Sequence, residues 1–306
     1  MKNNVYYKDD RDYPELLKQI NKEAPKQIYF KALASSFSQE LFSSPCLSVV
    51  GSRKLTSYGR QAGEQIISQI AASGITIISG FMYGGDALAH QTAVNVNGRT
   101  IAVMPCGIDC IHPQDQKDLY QDILDNQGMI ISEYEGDMKP ALWTYPRRNR
   151  IVAGLSQALL IIEAGEKSGT LITANYAKKF KRKIFALPGP ITGSVSKGTN
   201  MLIKQGVAEM VTCADDILGW FKNINKNSRS DFLERFSPKG TLHDSKKSKT
   251  LFNTEKKIIN ILKREPMSID ELSRELDISS SKLGVKLSLM EMQGMIILRG
   301  SKYFNK

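Results

Sequence analysis

A chain of 306 residues with 41% apolar and 24% charged content can bury one large domain plus a small one, and its composition is that of a soluble globular protein. The net charge of +11 and a pI near 9.3 favour a polyanionic partner. Four cysteines (Cys46, Cys106, Cys110, Cys213) without Cys-x-x-Cys spacing and three scattered histidines (His90, His112, His243) give no legible zinc or disulfide framework, while from the polar start Met1–Asp12 and the absence of a long apolar run neither a signal peptide nor a membrane span is expected, and a reducing cytoplasm is the expected setting.

Residues 1–45 hold a short amphipathic segment, Tyr13–Ile20, and read as an extension packed on the edge of a core. From residue 46 to 221, apolar runs alternate with amphipathic ones. Strands are expected at Cys46–Val50, Ile75–Ser79, Ile101–Met104, Met129–Glu133, Ala158–Glu163, Lys183–Leu187 and Glu209–Val211. Helix-period stretches lie between several of them, such as Tyr58–Ala72 with Ala62, Ile66, Ile67 and Ile70 on one side. Most of the strand runs are continuously apolar, as strands buried on both faces must be. The repeated alternation predicts an α/β fold with a doubly wound, mostly parallel sheet.

Every turn that follows a strand in such a fold emerges at the carboxyl edge, where ligand crevices form. The first reads Gly51-Ser52-Arg53-Lys54, with Gly51 letting the chain turn and Ser52 and Arg53 projecting. It lacks the Gly-x-Gly-x-x-Gly of dinucleotide sites, so no NAD or FAD is called for. Ser79–Asp86 and Pro105–Asp109 supply two more glycine-bearing turns. The stretch Tyr145–Thr170 is the most informative. Arg147, Arg148, Asn149 and Arg150 open a helical run, and Ser168-Gly169-Thr170 opens another after an apolar strand. Guanidinium forks and free helix N-terminal amides both hold phosphates. The sequence Gly165–Thr170 departs from a Walker A loop by placing Thr170 where lysine should stand, so ATP hydrolysis is unsupported. Pro188–Asn200, with Lys197, is a last strand-end turn, rich in hydroxyls and amides. Together these turns predict a groove of amides, hydroxyls and cations, with Tyr83, Trp143 and Tyr145 as aromatics, the combination that holds single strands without sequence preference. Asp86 and Glu163 read as partners orienting amides and arginines rather than as acid–base groups, since no nucleophile accompanies them.

Residues 222–252 read as a linker, polar and punctuated by Pro238-Lys239-Gly240, with Phe232, Leu233 and Phe236 as a local docking turn. Residues 253–306 predict three helices and a hairpin about Gly300, a winged-helix pattern whose second helix opens on the capping box Ser268-Ile-Asp-Glu271. Its third helix carries only Lys282 and Lys286 as cations, which argues against a base-reading transcription regulator.

These motifs resemble the DprA/Smf family of DNA-processing proteins. The resemblance rests on Val50-Gly-Ser-Arg53 with Tyr58-Gly59, Ser79-Gly80 with Gly85-Asp86 and Ala89-His90, and Arg148-Asn149-Arg150 with Gly154-Leu155-Ser156. Glu163-Ala164 with Ser168-Gly169-Thr170, Pro188-Gly189, and Ser196–Asn200 with Leu202-Ile203 complete it, in order, across Tyr13–Trp220. It implies an extended Rossmann fold that dimerises, binds and protects single-stranded DNA and helps load RecA during natural transformation, without catalysis or a cofactor. By position it places Arg53 and Arg148–Arg150 in the DNA pocket, with Lys139 as a further phosphate contact. Ser52, Arg147, Ser168–Thr170 and Lys197 join them from the groove reading. Leu202, Ile203, Val207 and Met210 are either core of the last βα unit or an interface, and the resemblance implies the interface. One family arginine is replaced, the usual Ala-Arg-Gly-Ile-Asp being Met82-Tyr83-Gly84-Gly85-Asp86 here. An enzyme related to nucleotide phosphoribohydrolases is the alternative, but its Pro-Gly-Gly-x-Gly-Thr and following glutamates are absent from Glu163–Ala174.

Overall fold

The structure, a computed structural model, describes residues 4–33, 41–42 and 44–227, and toward the C-terminus 258, 261–262, 265–276, 283–284, 287, 290–291, 296–299 and 302–305. It divides into two compact units, Met1–Arg229 and Ser230–Lys306.

In the first unit the chain begins with β1 (Asn4–Tyr7), the single-turn helix α1 (Glu15–Lys18) and β2 (Gln27–Lys31). The strands β3 (Cys46–Val50), β4 (Thr76–Ser79), β5 (Thr100–Gly107), β6 (Met129–Tyr134), β7 (Ala158–Ile161), β8 (Lys183–Ala186) and β9 (Glu209–Met210) follow. Every residue of β3, β4, β5 and β7 is buried, because helices cover both faces and leave no position for a polar alternation. The sheet order is β1-β2-β6-β5-β4-β3-β7-β8-β9. Each pairing from β6 through β9 is parallel, and β1 and β2 add to the β6 side antiparallel.

Among the described residues, α2 (Ser57–Ala72), α3 (Gly85–Asn95), α4 (Lys117–Asp125), α5 (Thr144–Gly154), α6 (Thr170–Lys179) and α7 (Lys197–Lys204) lie in the connections between strands, and α8 (Ala214–Asn227) follows β9. On one face Ile66, Ile67 and Ile70 of α2 pack with Ile217 and Phe221 of α8. Each such side chain contributes roughly 1.5–3 kcal/mol when fully buried. On the other face Ile151 and Val152 of α5 pack with Ala174 and Ala177 of α6. The chain winds outward from β3 to β6, then α5 carries it back so that β7 pairs with the other side of β3. The strand order therefore reverses between β3 and β7, and a crevice opens at their carboxyl ends.

Two elements differ from expectation. Residues 1–45 do more than pack on an edge, because β1 and β2 extend the sheet and Arg182 ties α1 to α5, its Nη2 donating to Leu16 O at 2.7 Å and Gly154 O at 3.1 Å. The helix α8 also continues through Lys222–Asn227, where the composition reads as linker, because Ile224 prolongs the i, i+4, i+7 row of Ile217 and Phe221.

In the second unit α9 (Ile269–Leu276) starts as the sequence predicts. Ser268 N donates to Glu271 Oε2 at 2.7 Å, and Glu271 N donates to Ser268 Oγ at 3.3 Å. The hairpin of β10 (Ile296–Arg299) and β11 (Lys302–Asn305) is extended by a bridge from Met267 to Tyr303. Ile258, Leu262, Leu272, Leu283, Leu287 and Met290 form the core under it. The docking turn of Phe232, Leu233 and Phe236, the cations Lys282 and Lys286, and Gly300 lie outside the described residues. Among the described residues no helix is long and apolar enough to cross a membrane.

Candidate nucleic-acid interface

The crevice at the switch point is a cleft of about 580 Å³ lined from β3, β4, α5 and the start of α6. Its construction begins with two turns pressed together. Gly84 sits at φ +72° with its Cα so near the first turn that a Cβ would lie 2.1 Å from Ser52 O. Only glycine takes that conformation in that space. Phe81, just before it, is held at φ +56° with its ring fully buried, a conformation rare outside glycine that packing must impose. Glu163 fixes the first turn from β7. Its carboxylate accepts from Thr56 N at 2.9 Å and from Thr56 Oγ1 at 2.5 Å, while its carbonyl accepts from Ser52 N at 2.8 Å. Thr56 in turn caps α2 by accepting from Gly59 N.

Arg148 forms the floor. It is buried, and its Nη1 donates to Gly80 O and to Val103 O, tying the end of β4 and the middle of β5 to α5. Asp86 lies 3.9 Å from Nη2 and also accepts from Met82 N. Burial pushes the Asp86 carboxyl up despite Arg148, and pushes Arg148 down despite Asp86. Desolvation outweighs the attraction of a pair held this loosely.

The wall is cationic and aromatic. The exposed Arg53 guanidinium lies 5.4 Å from the centre of the Tyr145 ring. Tyr145 and His112 share a hydrogen bond of 2.8 Å between Oη and Nε2. Burial first, and Arg53 second, hold His112 below its ordinary pKa. Tyr83 Oη donates to Asp115 at 2.8 Å, and that bond raises the tyrosine's pKa. Opposite, Ser168, Gly169 and Thr170 bring the N-terminus of α6 to the cleft, where its partial positive charge favours an anion. Leu142 and Ile172 are exposed apolar lips.

Of the residues singled out in the sequence, Arg53, Arg148, Asn149, Ser168, Gly169 and Thr170 meet in this cleft. Ser52 Oγ turns back to donate to Lys54 O at 2.9 Å, and Lys139 and Lys197 are exposed outside the lining. Arg147 and Arg150 face a second groove instead, both on Glu133, at 3.2 and 2.6 Å. Adjacent residues on a helix cannot face one way, and α5 splits the run accordingly. His112 and Asp115 escaped the sequence reading, since nothing in His-Pro-Gln-Asp marks it as a support for two distant tyrosines. Leu202 is core, Ile203 and Val207 are half-buried against it, and Met210 is 51% exposed.

Residues 4–222 match the family model for DNA recombination-mediator protein A, and residues 245–297 match that of the DprA winged helix domain. Protein Smf of Synechocystis is 33% identical over 94% of this chain and 76% of its own length. DNA processing protein DprA of Streptococcus pneumoniae is 36% identical over 70% of this chain and 72% of its own. The crystal structure of that protein superposes with a TM-score of 0.65, covering 72% of this chain and 74% of the other, at 34% identity. DNA processing protein A of Helicobacter pylori, whose structure concerns its single-stranded DNA binding mode, gives a TM-score of 0.64 at 27% identity, over 73% of this chain and 97% of the other.

Proposed function

This chain belongs to the DNA recombination-mediator protein A family, the DprA/Smf DNA-processing proteins, and from that premise we propose that it binds and protects single-stranded DNA in the carboxyl-edge cleft and helps load RecA onto it. One observation carries the reading. A single cleft combines a cation lying on an aromatic ring (Arg53 on the half-buried Tyr145), an exposed tyrosine (Tyr83) and a helix N-terminus. Bases stack on the rings, and phosphates meet Arg53 and the α6 amides. Arg148 acts beneath them by holding the floor in shape, with Asn149 beside it, its Oδ1 accepting from Arg148 Nε at 3.2 Å.

The role is binding rather than catalysis. The carboxylates around the cleft are engaged, Glu163 on Thr56, Asp86 on Met82 N and Arg148, and Asp115 on Tyr83. The protein works as a homodimer joined through the surface beside α7 and β9, where Ile203, Val207 and Met210 reach the outside and Leu202 supports them from the core. Its setting is the cytoplasm.

Titrating labelled single-stranded and duplex oligonucleotides of one sequence tests the binding reading. Single strands bind more tightly by at least tenfold, and RecA strand pairing rises when the protein is added. Equal affinity for both forms, or release of free base from AMP-type nucleotides, contradicts it.

A further inference from the structure

A second groove, about 840 Å³, lies on the other side of the start of α5. Pro146 lines both grooves, so the first two turns of α5 form the ridge between them. Trp143 stands in this second groove with 54% of its surface exposed. Tyr134 meets its ring edge-on at 5.9 Å and 89°, and the Arg147 guanidinium lies 5.9 Å from the ring centre. The indole is thus oriented by two neighbours yet uncovered.

The charges around it are unequal in what remains available. Glu133 is occupied by Arg147 and Arg150, and Glu23 is paired with Lys179. Lys22 and Lys26 also line the groove, are exposed, and have no acidic partner among the described residues. What faces solvent is therefore an aromatic platform with cations beside it, as the first cleft offers around Tyr145.

Resting on the single-strand reading of the first cleft, we propose that the strand continues over Pro146 into this groove. There Trp143 stacks a further base, and Lys22 and Lys26 take the phosphates that follow. The occupant is the next stretch of the same strand, because the ridge is shared and the available charge is positive. The exposed surface of Trp143 and Arg147 then has a use that the first cleft does not give it.

The full chain tests this with oligothymidylates of two lengths, about six nucleotides and about twenty, within and beyond what one such site spans. Trp143→Ala weakens the long oligomer by about fivefold or more, as loss of one stacked base should, and leaves the short one unchanged. Lys22→Ala with Lys26→Ala lowers the salt slope for the long oligomer by about 0.7 per lysine. In a Trp220→Phe background Trp143 is the remaining tryptophan, and its fluorescence is quenched by the long oligomer and not by the short one. Unchanged affinity of the variants for the long oligomer, with no quenching while anisotropy reports binding, overturns the second groove and leaves the first intact. Failure of the unaltered protein to bind either length removes the single-strand reading, and this inference with it.

Discussion

At the cleft floor, taking Arg148 away would leave the Gly80 and Val103 carbonyls without the guanidinium that bridges them, and the buried Asp86 carboxyl without its cation. Breaking one side of a buried charged cluster is far worse than never having built it. Arg148→Met is expected to lower stability by about 3–5 kcal/mol, read from urea unfolding of the first unit. A loss under 1 kcal/mol would mean that the guanidinium is not the tie it looks to be. His90 gives a pH-dependent counterpart. It is fully buried beside Thr100, and burial holds its pKa down to about 3. The folded state thus keeps it neutral while the unfolded chain protonates near 6.5. The stability it secures is complete above pH 6.5 and is lost as pH falls toward 3, with a slope of about 1.4 kcal/mol per unit. His90→Gln should flatten that part of the stability profile measured by thermal melts. At this scale the sequence was informative about chemistry and poor about direction. Glu163 and Asp86 were readable as orienting groups because no nucleophile stood near them. The fate of each arginine in Arg147–Arg150 was not, since direction on a helix depends on where the helix is packed.

Elements were legible where apolar runs were long. Strands β3 to β8 follow from predominantly apolar runs such as Cys46–Val50 and Ala158–Ile161, and the start of α9 from its capping box. Strands β1 and β2 were missed because their apolar stretches are bounded by polar residues, Asn4 in β1 and Gln27 and Lys31 in β2, so their pairing partner rather than their composition makes them strands. The segment that carries them is also tied by Arg182, which joins α1 to α5. Arg182→Ala should therefore weaken the N-terminal segment selectively. Backbone amides of β1 and β2 should exchange faster with deuterium while those of β3 and β7 stay protected. Uniform acceleration across the sheet would show that the segment is not a separate element energetically. In the first turn of α2, Gly59→Ala would place a Cβ 2.4 Å from the Glu163 carboxyl carbon. Displacing that carboxylate from Thr56 should cost about 1–3 kcal/mol and loosen the turn that carries Arg53.

On the scale of the whole molecule, the two units are expected to divide the work. Deleting residues 250–306 should leave single-strand affinity within a few-fold, because both grooves lie in the first unit. A loss beyond tenfold in a protein that keeps its circular dichroism spectrum would assign binding to the winged helix as well. A charged replacement at Ile203 should yield a folded monomer by light scattering, and an unfolded product would return that side chain to the core. The central claim, that the carboxyl-edge cleft holds the strand through Arg53, is met most directly by the salt dependence of single-strand affinity. Comparing the unaltered protein with Arg53→Ala across a range of salt concentrations, the account predicts weaker binding and a log–log slope shallower by about 0.7. Two superimposable lines would contradict it.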